Sequence, residues 1–308
     1  MMTYMKSQET SRFLLSAIVP ITLMAGRLNL LSDWVNSINH KQIEILLIHD
    51  IADVETGLEL KEMLESNKNE KITLIEGVFG SPGNARNEGL LLAKGEWVTF
   101  WDCDDKPEVE EVLKTLENTV MNIALDVLIG EYNVLNLKSG TLTKKIPSDK
   151  NLLNLAFNPG IWRMVFRRET IKNQKFTSFK MAEDQNFISS IELPALKCKW
   201  VDRVFYTYYI GNNGQLTSSK VAINEILWAA KFTLKEMKKA TSTTLEFNTV
   251  LFTRQVITGI IRGSLKVKIG CTALLFQAIL IKGISISIIV LKTSFKILFY
   301  GKRSRLDL

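Results

Sequence analysis

Histidine and cysteine are both scarce in this chain of 308 residues, which limits the chemistry that it can carry. Two histidines, His40 and His49, leave little room for histidine acid–base relays or histidine-rich metal sites. The three cysteines are widely spaced and form no CxxC pair, so neither a zinc site nor a redox centre is indicated. This cysteine usage favours a reducing, cytoplasmic compartment.

Export signals and long uninterrupted apolar runs are also lacking. Residues 1–12, which we treat as an N-terminal leader, contain one lysine and no apolar run, so they do not have the pattern of a signal peptide. Residues 269–300 are strongly apolar, but Lys282, Lys292 and Lys296 interrupt them before a run of about 18 residues is reached. The pattern predicts helices that lie in a membrane interface rather than a membrane span.

Charge is divided unevenly along the chain. From Lys220 onward there are 15 Lys and Arg against 4 Asp and Glu, a net charge of +11, which leaves −4 on the first 219 residues. Because the basic residues alternate with aliphatic stretches and end in KRSR at 302–305, the tail favours an anionic membrane surface over nucleic acid as its partner. The alternative is a helical pair packed on the rest of the chain or on a second subunit.

Apolar strands and amphipathic helices alternate through the first part of the chain. Phe13–Pro20 and Ile43–Ile48 are apolar runs typical of buried parallel strands, and Leu28–Ile38 between them has apolar residues at helical spacing. This order is a βαβ unit, and the alternation continues further along the chain. We predict an α/β domain with a mostly parallel sheet and flanking helices over residues 13–219, and a basic, apolar helical region over residues 220–308.

Three carboxylates gather where the apolar strand Trp97–Trp101 stops, in the sequence FWDCDDKP. Asp102, Asp104 and Asp105 offer the oxygen ligands that Mg²⁺ or Mn²⁺ prefers and shares with phosphate oxygens. A metal between Asp104 and a diphosphate would offset charge on a leaving group. The same residues would also serve as a solvated acidic turn before the next helix. Asp50 likewise follows a strand, and parallel sheets bind ligands at that edge.

The residues before this cluster carry a second, more specific pattern. Asn84–Gly89 reads NARNEG, and Ala93–Asp105 contains an A-x-G-E turn, an aromatic strand and a D-x-D cluster. Together these segments resemble the family 2 glycosyltransferases of the GT-A fold, and the similarity covers about the first 215 residues. The resemblance implies a GT-A-like sheet, a nucleotide-sugar donor and a divalent metal, Mn²⁺ or Mg²⁺, held by Asp104 and Asp102.

The same resemblance implies a donor-binding set made of Pro20, Asp50, Arg86 and Asp102. The family usually has two adjacent aspartates followed by Gly-Ser after its second strand, whereas residues 49–52 read HDIA here. Of the two family aspartates, only one has a counterpart in this sequence. It is Asp50, which the resemblance makes the expected partner of the donor base.

Two downstream segments also match. Met181–Ile188 (MAEDQNFI) resembles the Glu-Asp motif of the family, which makes Asp184 the expected catalytic base; Glu183 and Asp184 would alternatively cap the helix that follows. Tyr206–Thr217 resembles the strand and loop that close over the diphosphate. The basic residue common in that loop is missing, so a phosphate contact would come from backbone N–H groups or from Thr217.

These observations predict an inverting, metal-dependent glycosyltransferase. The expected donor is a nucleotide-diphosphate sugar, with UDP-sugar the family's commonest choice, and the expected acceptor is a saccharide or lipid-linked saccharide in cell-surface polysaccharide synthesis. We expect the protein to be cytoplasmic and peripheral at the inner face of the cell membrane. One alternative is a sugar nucleotidyltransferase, although Pro20–Arg27 does not supply the glycine-rich phosphate loop of that class. The other is a non-catalytic, membrane-associated assembly subunit with the same fold.

Overall fold

The computed structural model describes residues 13–66, 69–119, 124–145, 150–211 and 220–306. Residues 1–12 and Thr217, about which the sequence made predictions, lie outside these ranges. The described strands are β1 (Phe13–Ile21), β2 (Ile43–Asp50), β3 (Ile72–Gly77), β4 (Gly95–Phe100), β5 (Lys106–Pro107), β6 (Val127–Asn136), β7 (Leu142–Lys145), β8 (Met164–Arg167) and β9 (Cys198–Ile210).

The described α-helices alternate with these strands and then dominate the C-terminal part. They are α1 (Asn29–Val35), α2 (Val54–Ser66), α3 (Pro82–Leu92), α4 (Val109–Glu117), α5 (Leu152–Phe157), α6 (Arg168–Ile171), α7 (Glu183–Ser190), α8 (Lys220–Asn224), α9 (Ile226–Lys239), α10 (Ser242–Arg262), α11 (Leu265–Lys282) and α12 (Ile284–Leu306).

One nine-stranded sheet has the order β3-β2-β1-β4-β8-β6-β9-β5, with β7 paired to β6. The pairs β1–β2, β2–β3 and β1–β4 are parallel, as the βαβ pattern predicts. Beyond β4 the sheet is mixed, because β8 runs antiparallel to both β4 and β6, while β6 and β9 are parallel. The α/β prediction with a GT-A-like sheet is confirmed, and the carboxyl ends of β1, β2 and β4 meet at one edge.

Helix α3 begins at a serine cap. Ser81 is the N-cap, and its hydroxyl accepts a hydrogen bond from the backbone N–H of Asn84 at 3.2 Å. Pro82 occupies the first turn, where its missing N–H costs nothing. A Cβ added at Gly83 would lie 2.0 Å from the backbone oxygen of Thr177, so only glycine allows this close approach of α3 to the segment before α7.

Hydrophobic residues form a core on each face of the sheet. Trp34 of α1 packs edge to face against Trp101 at 5.6 Å between ring centroids on one face. On the other, Phe100 contacts Phe187 of α7, and Phe247 of α10 belongs to the same buried cluster. Helix α10 therefore shares a core with the α/β domain, although it lies in the predicted C-terminal region.

Helices α11 and α12 are only partly covered. The stripe Val267, Cys271 and Leu274 of α11 is buried in a cluster with α9 and α10, and Ile286 and Val290 of α12 join it. The opposite faces of both helices expose large apolar side chains, namely Leu265, Ile269, Phe276, Leu280, Ile281, Ile288, Leu291, Phe295 and Leu298. Within the described part of the chain, we find no helix with the length and hydropathy that crossing a bilayer requires.

Candidate active site

A cavity of about 640 Å³ opens at the carboxyl edge of the parallel strands. Its size suits a small-molecule ligand. The structure brings together there six residues for which the sequence predicted a role in donor binding, metal binding or catalysis: Pro20, Asp50, Arg86, Asp102, Asp104 and Asp184. These side chains come from the ends of β1, β2 and β4 and from α3 and α7.

Arg86 of α3 connects three of these elements. It is almost fully buried, and its Nη1 donates to Glu183 Oε1 at 2.6 Å while its Nη2 donates to Asp102 Oδ1 at 2.8 Å. Its guanidinium also lies over the ring of Phe176, 5.6 Å from the centroid. Burial alone would lower the pKa of Arg86, but the charges of Asp102 and Glu183 outweigh it and raise the pKa. A permanent cation therefore holds the end of β4 against the start of α7.

Asp184 lies in the first turn of α7 and faces the cavity. Ala182, in the left-handed conformation, occupies the N-cap position, and Asp184 Oδ1 accepts from the N–H of Gln185 at 2.8 Å, so Asp184 is not the N-cap. Burial, followed by the neighbouring charge of Glu183, raises the pKa of Asp184 to about 7. A carboxyl with this pKa accepts a proton near neutral pH.

The three aspartates after β4 point in different directions. Asp102 and Asp104 line the cavity, whereas Asp105 is buried. Tyr206 Oη donates to Asp105 Oδ2 at 3.0 Å, and the N–H of Tyr209 donates to Asp105 Oδ1 at 2.6 Å. Asp105 therefore joins the turn to β9 and does not complete a three-carboxylate metal site.

Asp104 is suited to bind a metal ion that a phosphate group also binds. Burial, with the nearby charge of Asp102, raises the pKa of Asp104 to about 6, so a cation beside it would favour the ionised form. Among the described residues there is no group of three or more His, Cys, Asp or Glu side chains that could hold a metal ion. Asp102 and Asp104 are two hard oxygen donors, and phosphate oxygens of a ligand would have to complete the coordination.

Asp50 is placed in the cavity wall with both of its oxygens in use. Oδ2 accepts from the backbone N–H groups of Phe79 and Gly80, at 3.2 and 2.6 Å, and Oδ1 accepts from that of Ala52 at 3.1 Å. Asp50 thus fixes the turn between β3 and α3. Its predicted contact to a donor base stays a prediction.

An aromatic stack forms part of the cavity wall. Trp162 stacks on Tyr206 at 4.5 Å and on Tyr208 at 5.8 Å between centroids, and its edge meets Tyr132. Trp162 and Tyr208 line the cavity. The sequence showed the tyrosines of β9, but only the fold shows that Trp162, about 40 residues earlier, stacks on them.

Comparison with known proteins identifies the family. Residues 18–184, more than half of the chain, match the domain described as glycosyl transferase family 2. The chain belongs to this family. The matched range begins within β1 and ends at Asp184, so it encloses the six predicted site residues.

Several curated relatives of this family 2 chain are bacterial glycosyltransferases. Glycosyltransferase GlyA of Streptococcus pneumoniae is 24% identical over 214 residues, which are 64% of this chain and 30% of that protein. The poly(ribitol-phosphate) β-glucosyltransferase of Bacillus spizizenii is 26% identical, over 60% of this chain and 30% of that protein. The cholesterol galactosyltransferase of Borreliella burgdorferi is 27% identical, over 68% and 62%. The chain thus spans less than two thirds of the length of these relatives.

Solved structures agree on the fold. TarS 1–349 of Staphylococcus aureus, in complex with UDP-GlcNAc, superposes with a TM-score of 0.67 at 19% identity, covering 86% of this chain and 80% of that one. A mannosyltransferase of Pyrobaculum calidifontis, in complex with GDP-Man and Mn²⁺, superposes with a TM-score of 0.56 at 15% identity, covering 96% and 83%. At these identities the likeness establishes the GT-A-like fold.

Proposed function

We propose that this protein transfers a sugar from a UDP-sugar to a hydroxyl of a saccharide acceptor, with inversion at the anomeric carbon. The observation that carries the proposal is the position of Asp184, whose pKa is about 7, in the same cavity as Arg86, Asp102 and Asp104. A base, a fixed cation and two carboxylates suited to a metal-bound diphosphate are the parts that direct displacement requires. The UDP-GlcNAc bound to TarS supports UDP as the nucleotide.

In the proposed reaction, the acceptor hydroxyl gives its proton to the carboxylate of Asp184 as its oxygen forms a bond to the anomeric carbon. The bond between that carbon and the diphosphate oxygen breaks at the same time, and the nucleoside diphosphate leaves from the opposite face of the sugar. Trp162 and Tyr208 offer an apolar aromatic wall on which the acceptor sugar packs. Arg86 holds Asp102 and Glu183 in place, so the geometry is set before the substrates bind.

A divalent metal, Mn²⁺ or Mg²⁺, fits Asp104 and Asp102 and would supply positive charge against the leaving diphosphate. The Mn²⁺ bound to the Pyrobaculum calidifontis mannosyltransferase supports this choice. The binding of UDP is then expected to depend on the metal. Titration of UDP in Mn²⁺ and in chelator tests this. A wild-type affinity that is the same in both conditions, or an affinity in Mn²⁺ that Asp104→Ala leaves unchanged, would contradict it.

The reaction itself is tested by a screen of nucleotide sugars, with saccharide acceptors present and absent. We expect release of the nucleoside diphosphate in the presence of Mn²⁺ for one donor. A sugar nucleotidyltransferase would instead release pyrophosphate from a nucleoside triphosphate, and a non-catalytic assembly subunit would bind nucleotide without releasing product from any donor.

We also propose that α11 and α12 hold the protein at an anionic membrane surface, which would place the cavity beside a lipid-linked or surface-polysaccharide acceptor. The support is the exposed apolar face of the two helices together with their charge. Residues 265–306 contain eight Lys and Arg and no Asp or Glu. Apolar side chains would enter the headgroup region, and each well-placed basic residue would add about 1 kcal/mol on anionic lipid.

Liposome flotation of the full chain tests the membrane proposal. We expect binding to anionic vesicles, weaker binding to neutral ones, and release as salt rises. Leu280→Glu, at a side chain that is 85% exposed on α11, should weaken binding without loss of fold. Leu91→Glu is the matched control, because Leu91 is 78% exposed on α3. Equal flotation of both variants, or no binding by the wild type, would refute the proposal.

A further inference from the structure

Arg27 is a cation of the cavity that the sequence pattern did not single out. It lies in the loop between β1 and α1, and its side chain lines the cavity with Asp102 and Asp104. Its Nη2 donates to the backbone oxygen of Leu23. Its Nη1 lies 3.9 Å from Asp104 Oδ2, beyond hydrogen-bond distance, and has no hydrogen-bond partner among the described residues. One arm of the guanidinium is therefore anchored, and the other is unused.

The loop that carries Arg27 is held firmly by side chains of α2 and of the turn before it. The N–H of Leu23 donates to Asp53 Oδ2. Thr56 Oγ1 accepts from the next two backbone N–H groups at 2.9 and 3.0 Å, and Glu59 accepts from the N–H of Gly26 at 2.9 and 3.1 Å. Four consecutive backbone donors are thus tied to α2 and its N-terminal turn, so Arg27 is presented from a fixed backbone.

Among the described residues that line the cavity, the other two basic side chains are either paired already or exposed to solvent. Arg86 already makes two ion pairs, with Asp102 and Glu183. Lys180 lines the cavity but is exposed to solvent. The sequence from 211 to 219, which the resemblance placed over the diphosphate, contains neither Lys nor Arg. Arg27 is then the cation with an unused donor beside the aspartate that we assign to the metal.

An unused guanidinium N–H next to Asp104 matches the chemistry of a diphosphate. Guanidinium groups bind phosphate oxygens through short, charge-assisted hydrogen bonds. Because Nη2 of this planar group is already hydrogen-bonded, the side chain would lose little conformational entropy when Nη1 binds a phosphate. A donor whose diphosphate shares a metal with Asp104 would bring its oxygens close to Nη1, which lies 3.9 Å from that carboxylate. Without a donor, the same group partly offsets the charge of Asp104.

We propose that Arg27 binds the diphosphate of the nucleotide-sugar donor through Nη1 while Nη2 keeps its bond to the β1–α1 loop. This inference rests on the proposed donor site. It assigns to the first loop of the sheet a phosphate contact that the resemblance would place in the loop after β9.

The test compares UDP with uridine, because the two ligands share the base and ribose and differ in the diphosphate. Calorimetric titrations in Mn²⁺ would use the full chain, Arg27→Gln and Arg27→Lys. We expect Arg27→Gln to weaken UDP binding by about 10- to 100-fold and to leave uridine binding unchanged. Arg27→Lys should recover part of the loss, since it restores the charge without the fork. Lys106→Gln is the control, because Lys106 is half-exposed beside the same aspartates but does not line the cavity.

The outcomes separate the inference from the proposed function. Unchanged UDP affinity in Arg27→Gln would overturn the inference while leaving the donor site intact. An equal loss for UDP and uridine would also overturn it, since Arg27 would then act by shaping the loop. If the wild type bound UDP no better than uridine, the proposed donor site would fail and the inference with it. Thermal unfolding of each variant checks that the fold is kept.

Discussion

The substitution Asp184→Asn is expected to stabilise the protein while it removes sugar transfer. Burial and the charge of Glu183 raise the pKa of Asp184 from 3.8 to about 7 in the folded chain. Below pH 3.8 the carboxyl is protonated in both the folded and the unfolded state. Between pH 3.8 and 7 the unfolded chain releases the proton and the folded chain keeps it, so the free energy of unfolding falls as pH rises. Above pH 7 the carboxyl is ionised in both states, so the free energy of unfolding does not fall further.

The size of the effect follows from the pKa difference. A pKa raised from 3.8 to about 7 corresponds to an upper limit of about 4 kcal/mol at pH 8. Because Asp184 lines an open cavity that water enters, we expect on the order of 2 kcal/mol. Asparagine carries no charge, so Asp184→Asn should gain roughly this amount at pH 8 and less than half of it at pH 5. Sugar transfer should fall by roughly two to four powers of ten.

The assay combines urea unfolding at pH 5 and pH 8 with product release from the donor found in the screen. Transfer by the wild type should rise with pH through a midpoint near 7, and Asp184→Asn should keep its affinity for UDP. Glu183→Gln is the control at the neighbouring carboxylate. It breaks the 2.6 Å pair with buried Arg86 and should therefore destabilise the protein by about 3 kcal/mol. Loss of stability in Asp184→Asn at pH 8, or normal transfer, would refute the reasoning.

Three further substitutions test other contacts of the site by chemical unfolding. Arg86→Met removes both ion pairs and leaves two carboxylates without their cation, so it should cost about 3–5 kcal/mol and weaken UDP binding; a loss under 1 kcal/mol would contradict this. Tyr206→Phe removes the hydroxyl that donates to Asp105 and should cost about 1–3 kcal/mol, and a neutral result would mean that this bond adds nothing. Gly83→Ala places a methyl group 2.0 Å from the oxygen of Thr177 and should cost about 1–3 kcal/mol, and an unchanged free energy of unfolding would contradict this.

Local patterns in the sequence were enough to predict the N-terminal half of the sheet. The apolar runs at Phe13–Pro20 and Ile43–Ile48 correspond to β1 and β2, whose observed ends differ by one or two residues. The prediction succeeded because parallel strands that are buried on both faces are apolar along their whole length. The two-residue strand β5 and the antiparallel β8 were not predicted. Such short strands carry no periodicity of their own and exist because a partner strand is beside them.

The candidate site was predicted in part for the same reason. Asp50, Asp102 and Asp104 follow strands, so the sequence places them at one edge of a parallel sheet. The sequence did not predict that Asp105 turns inward and contacts Tyr206. The position of a residue at a strand end does not determine the direction in which its side chain points. Arg27 was considered only as part of a phosphate loop that the chain does not have, and its distance to Asp104 depends on the fold.

The sequence by itself determined the alternation of strands and helices, the family motifs and the basic, apolar tail, since each of these is a property of neighbouring residues. Only the tertiary structure decided which charges meet. Arg86 pairs with Glu183, 97 positions away along the chain, and Arg27 approaches Asp104 from a loop on a different strand. Ion pairs and pKa values depend on distance through space and on burial, and neither is set before the sheet and its helices have packed.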